Sequence, residues 1–424
     1  MKLGSRLNLL ITDINKSGIG IGKHEEKNIY IPSTMVGDEV VVKIKDVSRD
    51  YIRADLLEVV KASSNRIIPA CSYYPECGGC GLQHMNGASY LAFKTNLVHN
   101  ILSELGVSID VLGEIIQTGF GHRRRVSLKV ALDSELKIGF FREGTNDIVD
   151  IDKCAVATSE INHLIEPLRK FIKDLQLPHI VKGISLTVLD EAIDLVAQTS
   201  EYFTKSDKVK IKDFCLKYNI ARFTQDSDKP VVIFENELAV IEFAGNKVSY
   251  PTNSFLQATK HAESKINEII ASHLIDGFKI ADLFCGLGTY SFACLKSADH
   301  VSAYEGSYEM VLAAQNAVND SGLSEKIQFY SRDLFKRPLI AKDLNKFDLV
   351  ILNPPRDGAK NQVIELAKSK VSKIIMVSCN PDSFKRDTKL LCKADYQLIS
   401  LTPIDQFYFT KHLELVGIFE KIKI

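Results

Sequence analysis

Most of the information about the fold lies in one stretch, Phe278-Lys-Ile-Ala-Asp-Leu-Phe-Cys-Gly-Leu-Gly-Thr289. An apolar run enters a glycine-rich turn, and an apolar segment with helical character follows the turn. This order is typical of a strand that leads into a helix. From about residue 250 onward, such strands and helices alternate along the chain. The alternation predicts an α/β domain built on a parallel sheet.

Polar residues mark the ends of four predicted strands: Asp282, Glu305, Asp333 and Asn353. Ligands of such sheets bind outside the carboxyl ends of the strands, where a carboxylate like that of Glu305 can accept from two ribose hydroxyls. The pattern fits a dinucleotide or S-adenosylmethionine. The order Gly-Leu-Gly-Thr-Tyr-Ser over residues 286–291 lacks the third glycine of the dinucleotide fingerprint, which favours S-adenosylmethionine.

Two later motifs indicate the chemistry. In Asn353-Pro-Pro-Arg356 the prolines predict a rigid turn. An aromatic residue after the prolines would favour methylation of an exocyclic amine, but this chain has Arg356. Cys379 follows in Ser-Cys-Asn-Pro at the end of the fifth predicted strand. Both features favour attack on a ring carbon.

Cys379 and Glu414 are the candidate catalytic pair. A thiolate that adds to carbon 6 of uracil makes carbon 5 nucleophilic, and a base then removes the carbon 5 proton. Glu414, in Thr-Lys-His-Leu-Glu, is the candidate base. The alternative interpretation is a structural cysteine at a strand end and an exposed glutamate on the last strand. Their polar and turn-forming neighbours, at the end where ligands bind, favour the catalytic interpretation.

Composition sets the limits for the other segments. The chain has 424 residues, of which 45% are apolar, and this length is enough for two or three domains. Its net charge is zero, so the overall charge does not by itself indicate a nucleic-acid partner. The sequence contains neither a long apolar span nor a signal peptide, and we expect a cytoplasmic, monomeric protein without membrane contact.

We expect three domains, 1–62, 63–245 and 246–424. The first contains short alternating runs with Gly18, Gly20 and Gly22 between them, which predicts a small β-barrel. These glycines favour a bulged strand corner over a phosphate loop, because no strand-to-helix unit surrounds them. The barrel is expected either to grip RNA or to act as a structural cap.

Nine cysteines in a cytoplasmic chain indicate metal binding or catalysis before disulfides. Cys71, Cys77 and Cys80 form a C-x5-C-x2-C motif, and Cys154 is a candidate fourth ligand. Thiolate ligands select zinc or an iron–sulfur cluster, and the spacing leaves both open. Buried inert thiols are the alternative. We expect the cysteines of predicted helical segments to be inert core residues: Cys215, Cys294 and Cys392.

A basic run, Arg123-Arg124-Arg125, precedes a predicted strand. It has two interpretations, a solvated face or a strand that grips RNA phosphates.

The motifs together resemble those of the bacterial RNA 5-methyluridine methyltransferase family. They are most similar to its 23S rRNA (uracil-5-)-methyltransferases with an N-terminal TRAM domain and a 4Fe-4S cluster. The resemblance extends over nearly the full chain and rests on the barrel, the four cysteines, Phe255-Leu-Gln257, D-L-F-C-G-L-G, P-P-R-x-G, S-C-N-P and T-x-H-x-E.

The resemblance implies a role for each matching residue. It implies 4Fe-4S ligation by Cys71, Cys77, Cys80 and Cys154, with Cys379 as nucleophile and Glu414 as base. The implied S-adenosylmethionine contacts are Gln257, Phe284, Gly286, Thr289, Glu305, Asp333 and Asn353. The expected partner is ribosomal RNA. A transfer RNA enzyme of the same chemistry, or a non-catalytic RNA-binding assembly factor on this scaffold, is the alternative.

The chain departs from the family pattern at a few positions. Asn353 stands where the family usually has aspartate, and Tyr408 where it commonly has proline. Thr259 and Thr289 replace frequent asparagines. An asparagine at 353 still accepts a hydrogen bond through its carbonyl oxygen but carries no charge.

Overall fold

The structure, a computed structural model, describes residues 2–49 and 51–422. Met1, Asp50, Lys423 and Ile424 lie outside the described residues. The predicted domain 1–62 therefore lacks a description at residues 1 and 50, and the predicted domain 246–424 lacks one at its last two residues. The chain forms two compact units. One contains the chain up to Asn100 together with Phe140–Ile151 and Phe407–His412. The other contains Ile101–Gly139, Asp152–Gln406 and the chain from Leu413 onward.

Within the described residues the strands are β1 (Arg6–Ile14), β2 (Gly20–His24), β3 (Lys27–Ile31), β4 (Glu39–Val47), β5 (Ile52–Lys61), β6 (Ile116–Gln117), β7 (Arg125–Leu132), β8 (Leu136–Phe141), β9 (Ile148–Asp150), β10 (Val181–Val188), β11 (Ile193–Thr199), β12 (Ile220–Asp226), β13 (Val231–Glu235), β14 (Val240–Phe243), β15 (Asn246–Ser249), β16 (Phe278–Leu283), β17 (Ala298–Glu305), β18 (Ile327–Ser331), β19 (Leu349–Leu352), β20 (Lys373–Ser378), β21 (Tyr396–Asp405) and β22 (Glu414–Lys421). The α-helices there are α1 (Gly87–Leu105), α2 (Ser159–Lys173), α3 (Lys205–Lys217), α4 (Lys260–Ser272), α5 (Thr289–Cys294), α6 (Tyr308–Asp320), α7 (Ala341–Leu344), α8 (Lys360–Lys368) and α9 (Pro381–Cys392). None of these helices is long and apolar enough to cross a membrane.

The first unit begins with a closed barrel in the order β1-β2-β3-β5-β4, which confirms the predicted barrel. Alternate residues point inward, and Ile29, Val42 and Ile44 are among its buried residues. The pairing of β1 with β2 shifts register between Ile11 and Asp13, opposite Gly22 and Ile21, so an irregularity lies in the strand that pairs with the predicted glycine corner. Gly20 belongs to β2, where a Cβ atom would lie 2.1 Å from Thr34 Oγ1.

The residues after the barrel are held to it by an ion pair between the half-buried Arg66 and the buried Asp38. Arg66 Nη2 lies 2.8 Å from Asp38 Oδ2 and donates to the carbonyl oxygen of Ser33. Elsewhere in the same unit, the Phe407–His412 segment packs on α1. Tyr90 Oη accepts from the backbone N–H of Phe409, and Lys94 Nζ donates to the carbonyl oxygen of His412 at 2.7 Å.

The second unit contains a sheet in which β13, β12, β11, β10, β7 and β8 lie side by side. Its core includes Leu195 and Phe223, and Phe223 contacts Phe171 of α2. Arg222 lies in the same sheet as a buried charge, and it pairs with Asp194 at 2.7 Å. This pairing explains how a guanidinium is tolerated at a position with 4% exposure.

The other sheet of the second unit has the order β18-β17-β16-β19-β20-β22-β21-β6. Strands β16 to β20 are parallel, and β22 is antiparallel to both β20 and β21. This arrangement confirms the predicted α/β fold. The chain runs from β16 outward to β18 and returns to place β19 on the other side of β16. Such a reversal of strand order is where sheets of this kind bind ligands.

Candidate active site

The polar residues predicted at the strand ends lie along one edge of the parallel sheet. Asp282 lies near the end of β16 and Glu305 ends β17, while Asn353 and Cys379 directly follow β19 and β20. Since parallel strands present their carboxyl ends at the same edge, these side chains converge there.

The turn after β16 has an unusual backbone. Phe284, Gly286 and Gly288 have φ values of 61°, 57° and 89°. At Gly288 a Cβ atom would lie 2.6 Å from Phe329 Cζ, so a larger residue does not fit. At Gly286 a Cβ atom would meet no described heavy atom within 4 Å. The turn is therefore packed on one side and open on the other, which leaves space for a ligand next to the backbone.

Glu305 is fixed by backbone donors on both of its oxygens. Oε2 accepts from the N–H of Gly286 at 3.1 Å, and Oε1 accepts from the N–H groups of Gly306 and Ser307 at 2.7 and 2.9 Å. These bonds orient the carboxylate across the turn after β16. The side chain is half-buried, and each oxygen keeps lone-pair capacity for a ligand hydroxyl.

A pocket of ≈180 Å³ lies beside this turn, with Phe284, Leu334, Phe335 and Gly358 among its lining residues. Asp333, next to Leu334, accepts from the backbone N–H groups of Phe335 and Lys336. The bond from the Lys336 N–H is the main cause that lowers the pKa of Asp333. The site thus combines apolar ring faces with an ionised carboxylate, a combination that suits a nucleoside.

Asp282 lies beneath the turn and is fully buried. Ser291 Oγ donates to its Oδ2 at 2.6 Å, whereas Oδ1 has no hydrogen-bond partner among the described residues. Burial raises the pKa of Asp282 to about 7.

The loop after β19 is bound to the loop after β20. Asn380 Nδ2 and Ser383 Oγ both donate to the carbonyl oxygen of Arg356, at 2.9 and 3.2 Å. The backbone N–H of Gly358 closes a turn by donating to the carbonyl oxygen of Pro355 at 2.8 Å. Asn353 is half-buried at the start of this loop, and its backbone N–H donates to the carbonyl oxygen of Leu283.

Strand pairing brings Cys379 and Glu414 together. Ser378 pairs with Leu415 across β20 and β22, so Cys379 and Glu414 lie one residue beyond that pair on their respective strands. The two groups are close enough to interact electrostatically. Burial raises the pKa of Cys379, the negative charge of Glu414 raises it further, and the positive charge of Arg356 lowers it.

Glu414 is buried within a network of side-chain amides. Gln406 Nε2 donates to Glu414 Oε2 at 2.6 Å and to Gln257 Oε1 at 2.8 Å, and Gln257 Nε2 donates to Tyr290 Oη at 2.7 Å. Burial raises the pKa of Glu414 to about 7, although the hydrogen bond from Gln406 opposes this rise. The alternative interpretation of Glu414 as an exposed residue is therefore wrong.

The comparisons with known proteins agree with this geometry. Residues 114–422 match the tRNA (Uracil-5-)-methyltransferase family, and residues 1–57 match the TRAM domain. The chain belongs to the RNA (uracil-5-)-methyltransferase family. The family match shows a methyltransferase that uses S-adenosylmethionine and RNA, and the TRAM domain is an RNA-binding module.

Two curated relatives of this methyltransferase illustrate the extent of the similarity. An uncharacterized RNA methyltransferase of Brucella suis is 32% identical over 97% of each chain. A 23S rRNA (uracil(1939)-C(5))-methyltransferase of Shewanella amazonensis is 30% identical over 99% of this chain and 97% of its own. Among solved structures, the Pyrococcus abyssi tRNA (uracil-54, C5)-methyltransferase in complex with S-adenosyl-L-homocysteine has the same fold. Its TM-score is 0.75 at 24% identity, over 97% of this chain and 100% of its own.

In the basic run of the methyltransferase, Arg124 and Arg125 bind other parts of the protein. Arg124 is buried, and its guanidinium donates to Glu263 at 2.5 Å and to the carbonyl oxygen of Gln257 at 3.0 Å. Arg125 Nη1 donates to the carbonyl oxygen of Leu256 at 2.9 Å. For Arg124, neither a solvated face nor a phosphate grip is correct, because a buried guanidinium needs acceptors and finds them in Glu263 of α4 and in the backbone carbonyl of Gln257.

The two threonines that depart from the family pattern differ in position. Thr259 precedes α4 as its N-cap, and its Oγ1 accepts from the N–H of Ala262 at 3.0 Å. Thr289 is half-buried and begins α5 directly after Gly288. Thr259 therefore has a structural role as a helix cap, whereas Thr289 begins the helix that follows the glycine-rich turn.

The candidate cluster ligands occur in both units. Cys71, Cys77 and Cys80 are half-buried in the first unit, where the N–H of Gly78 donates to the carbonyl oxygen of Phe141 at 2.9 Å. Cys154 is half-buried in the second, where its N–H donates to Asn162 Oδ1 at 2.7 Å. The donor chemistry fits an iron–sulfur cluster, but over residues 2–49 and 51–422 no group of three or more cysteine, histidine or acidic side chains has metal-holding geometry.

The three cysteines that were predicted to be inert core residues differ in burial. Cys215 and Cys294 are buried, as predicted, and burial raises the pKa of both thiols. Cys392 ends α9 and is exposed, so its predicted place in the core is wrong. The hydrophobic face of α9 ends at Leu391, and the next residue already faces solvent.

Sequence reasoning missed Gln406 and Tyr290 as members of the site. Gln406 lies between two recognised features, the last apolar residues of β21 and the T-x-H-x-E motif. An amide eight residues before a candidate base was the available signal in the sequence, whereas its burial, which makes partners necessary, is seen only in the structure.

Proposed function

We propose that this chain methylates carbon 5 of a uridine in 23S rRNA through a covalent adduct between Cys379 and carbon 6. One observation carries the proposal: the register of β20 and β22 puts Cys379 and Glu414 next to each other at the ligand-binding edge of the sheet. A nucleophile and a base on opposite sides of one ring bond need this proximity.

The proposed reaction begins when the Cys379 thiolate forms a bond to carbon 6, and the ring electrons move to carbon 5 and the carbonyl at carbon 4. Bound S-adenosylmethionine supplies the methyl group. Glu414 then accepts the carbon 5 proton, the electrons of that C–H bond restore the double bond between carbons 5 and 6, and the thiolate leaves. A base with a pKa near 7 is suited to accept this proton at neutral pH.

We propose that the cofactor lies at the carboxyl edge of β16 to β19. Glu305 would accept from its ribose hydroxyls, and the rings of Phe284 and Phe335 border the space for its base. Gly286 and Thr289 would let the cofactor come close to the backbone of the turn after β16. Asp333, Asn353 and Gln257 would supply the remaining polar contacts. The open space at Gly286 and the adjacent pocket support this assignment.

Ribosomal RNA is the proposed substrate, in the cytoplasm, because a relative named for 23S rRNA matches this chain over nearly its full length. The matching structure from Pyrococcus abyssi is named for transfer RNA, but its identity of 24% supports the fold alone. Transfer RNA is therefore the second candidate.

We further propose that Cys71, Cys77, Cys80 and Cys154 ligate a 4Fe-4S cluster. Four half-buried thiols remain accessible to iron, in contrast to the buried Cys215 and Cys294.

A methyl-transfer assay with labelled S-adenosylmethionine tests the substrate. Purified enzyme would be offered ribosomal RNA and transfer RNA from a strain that lacks it, and the product nucleoside identified by mass spectrometry. Labelled 5-methyluridine in 23S rRNA supports the proposal, and label in transfer RNA instead selects the second candidate. RNA binding without label from any RNA would leave the assembly-factor interpretation.

A further inference from the structure

The orientation of the Gln406 amide is determined by its surroundings. Its Oε1 accepts from the backbone N–H of Ala258 at 3.0 Å. An amide NH2 at that position would face another donor, so the amide nitrogen must point the opposite way. There it donates to Gln257 Oε1 at 2.8 Å and Glu414 Oε2 at 2.6 Å. Both hydrogens of one nitrogen are thus used, one for each candidate functional residue.

Because both side chains are buried, the loss of these hydrogen bonds would not be compensated by water. Gln406 is 3% exposed and Glu414 is 4% exposed, so water cannot replace a lost donor without entering the core. A buried carboxylate that loses its hydrogen-bond donor becomes harder to ionise.

We propose that Gln406 is a positioning residue, which aims the Glu414 carboxylate for proton removal and couples it to Gln257 on the cofactor side. The inference rests on the proposed function, in which Glu414 is the base and Gln257 contacts S-adenosylmethionine. Gln406 itself touches neither uridine nor cofactor in this assignment.

The other groups around Glu414 do not replace this donor. Within the described residues, neither the Cys379 thiol beyond the end of β20 nor the Tyr290 hydroxyl on α5 donates a hydrogen bond to the Glu414 carboxylate, and burial raises the pKa of both groups. Other charged or titratable groups act on these two neighbours of Glu414. Arg356 faces Cys379, and Glu263 and Asp282 face Tyr290, with Arg124 paired to Glu263. Glu263 and Asp282 are acidic, and Arg356 is exposed on its loop. Removal of the Gln406 amide would therefore favour the protonated form of Glu414.

The chain offers a closely matched control. Gln225 is also fully buried, its Nε2 donates to Thr199 Oγ1 at 2.8 Å and to the carbonyl oxygen of Glu201 at 2.7 Å, and its Oε1 accepts from the N–H of Phe203. It lies on β12, in the other sheet. Gln225→Met removes the same number of bonds as Gln406→Met and keeps the side-chain length.

The test follows release of the methylated product from the covalent adduct between pH 6 and 9. In Gln406→Met the adduct should form, but its release at pH 7 should slow by on the order of tenfold to a hundredfold, the loss of one hydrogen bond to a charged group. Release should recover as pH rises and Glu414 ionises. Affinity for S-adenosylhomocysteine should fall several-fold, because Gln257 loses its donor.

A second variant guards against misfolding. Gln406→Glu keeps the side-chain volume and the acceptor for the N–H of Ala258, but it places a second carboxyl group against Glu414. Release of the methylated product by this variant should therefore depend on pH even more steeply than release by Gln406→Met. Gln225→Met should keep the wild-type pH profile.

Two outcomes separate this inference from the proposed function. If Glu414→Gln releases product normally, the assignment of the base fails and the role of Gln406 fails with it. If Glu414→Gln stalls but Gln406→Met and Gln406→Glu keep the wild-type pH profile, only the role of Gln406 is refuted.

Discussion

Asn380, the residue after Cys379, binds the carbonyl oxygen of Arg356 through its side-chain amide at 2.9 Å. The loop that begins with Cys379 and the P-P-R loop are therefore linked through the carbonyl oxygen of Arg356, a backbone atom that a substitution of the Arg356 side chain leaves in place. The guanidinium is thereby kept near the thiol, where it lowers the pKa of Cys379 against the effects of burial and of Glu414.

This arrangement predicts a pH effect for Arg356. In Arg356→Met the thiol pKa should rise, so that adduct formation at pH 7 slows several-fold and recovers as pH increases toward 9. Arg356→Lys, which keeps the positive charge, should stay close to wild type. Rapid-quench measurement of adduct formation at saturating RNA gives the profile. An equal loss for Arg356→Met at every pH would mean that the side chain acts through binding instead.

A second prediction concerns the stability contributed by Asp282. Its pKa is raised from 3.8 in the unfolded chain to about 7 in the folded protein, so folding favours its protonated form. Between pH 3.8 and about 7 the unfolded chain ionises this carboxyl while the folded protein keeps it protonated, so the cost in stability grows over this range and is complete above pH 7. The cost is lost as pH falls from about 7 to 3.8. We expect Asp282→Asn, relative to wild type, to be more stable at pH 8.5 than at pH 5.5 by on the order of 2 kcal/mol.

Thermal unfolding at the two pH values measures this effect, since differences between them cancel the pH-independent cost of the substitution. Asp299→Asn, at an exposed position, serves as the control and should show no such difference. Equal shifts for Asp282→Asn at both pH values would contradict a raised pKa.

The sequence was sufficient for features that depend on local pattern. Alternating apolar residues predicted the barrel, and the order of strands, glycines and acidic residues predicted the edge that carries Glu305 and Asn353. Cys379 and Glu414 were predicted as a pair because each occurs in a distinctive motif, although their juxtaposition depends on the strand register.

Features that depend on a distant partner could not be predicted in this way. Arg124 looks like surface charge until Glu263, 139 residues later, supplies its acceptor. The importance of Gln406 likewise depends on Ala258 and Gln257, which approach it only in the folded sheet. In both cases the local sequence gives the residue type, but the partner decides whether that residue faces solvent or the interior.

The third prediction concerns the cluster. Anaerobically purified enzyme should be brown and contain iron and acid-labile sulfide, and Cys77→Ser should lose the colour and become less soluble, because a cluster contributes folding free energy. Cys392→Ser, at an exposed cysteine outside the set, should keep both. Stoichiometric zinc without iron in the anaerobic protein would contradict the proposed cluster.

The fourth prediction tests RNA capture by the barrel. Deletion of residues 1–62 would also remove the partners of Arg66, so surface substitutions give a cleaner test. Arg6 and Lys43 pair across β1 and β4 and are both exposed. Arg6→Ala/Lys43→Ala should weaken RNA binding and reduce its salt slope by about 1–2, without effect on S-adenosylmethionine binding.

Lys205→Ala/Lys208→Ala removes two exposed charges from the start of α3 and is the matched control. RNA affinity as a function of salt concentration, measured by fluorescence anisotropy, compares the two variants. If both double variants bind RNA as the wild type does, the structural-cap interpretation of the barrel is favoured.

The last prediction separates the covalent mechanism from direct methyl transfer, because Cys379 and Glu414 are proposed to act at different steps. Cys379→Ala should bind RNA and cofactor but form no adduct. Glu414→Gln should add and methylate, then stall, because the carbon 5 proton stays in place and the thiolate cannot be eliminated. The stalled species should survive denaturing electrophoresis as a protein–RNA band that carries label from the methyl group.

The double variant decides the order of these steps. If addition precedes proton removal, Cys379→Ala/Glu414→Gln must show no band, since the adduct that would stall is never formed. Cys392→Ser/Glu414→Gln, which keeps the nucleophile, should retain the band at the intensity of Glu414→Gln alone. A labelled band in the Cys379→Ala background would assign the nucleophile to another residue, and normal turnover by Glu414→Gln would assign the base elsewhere.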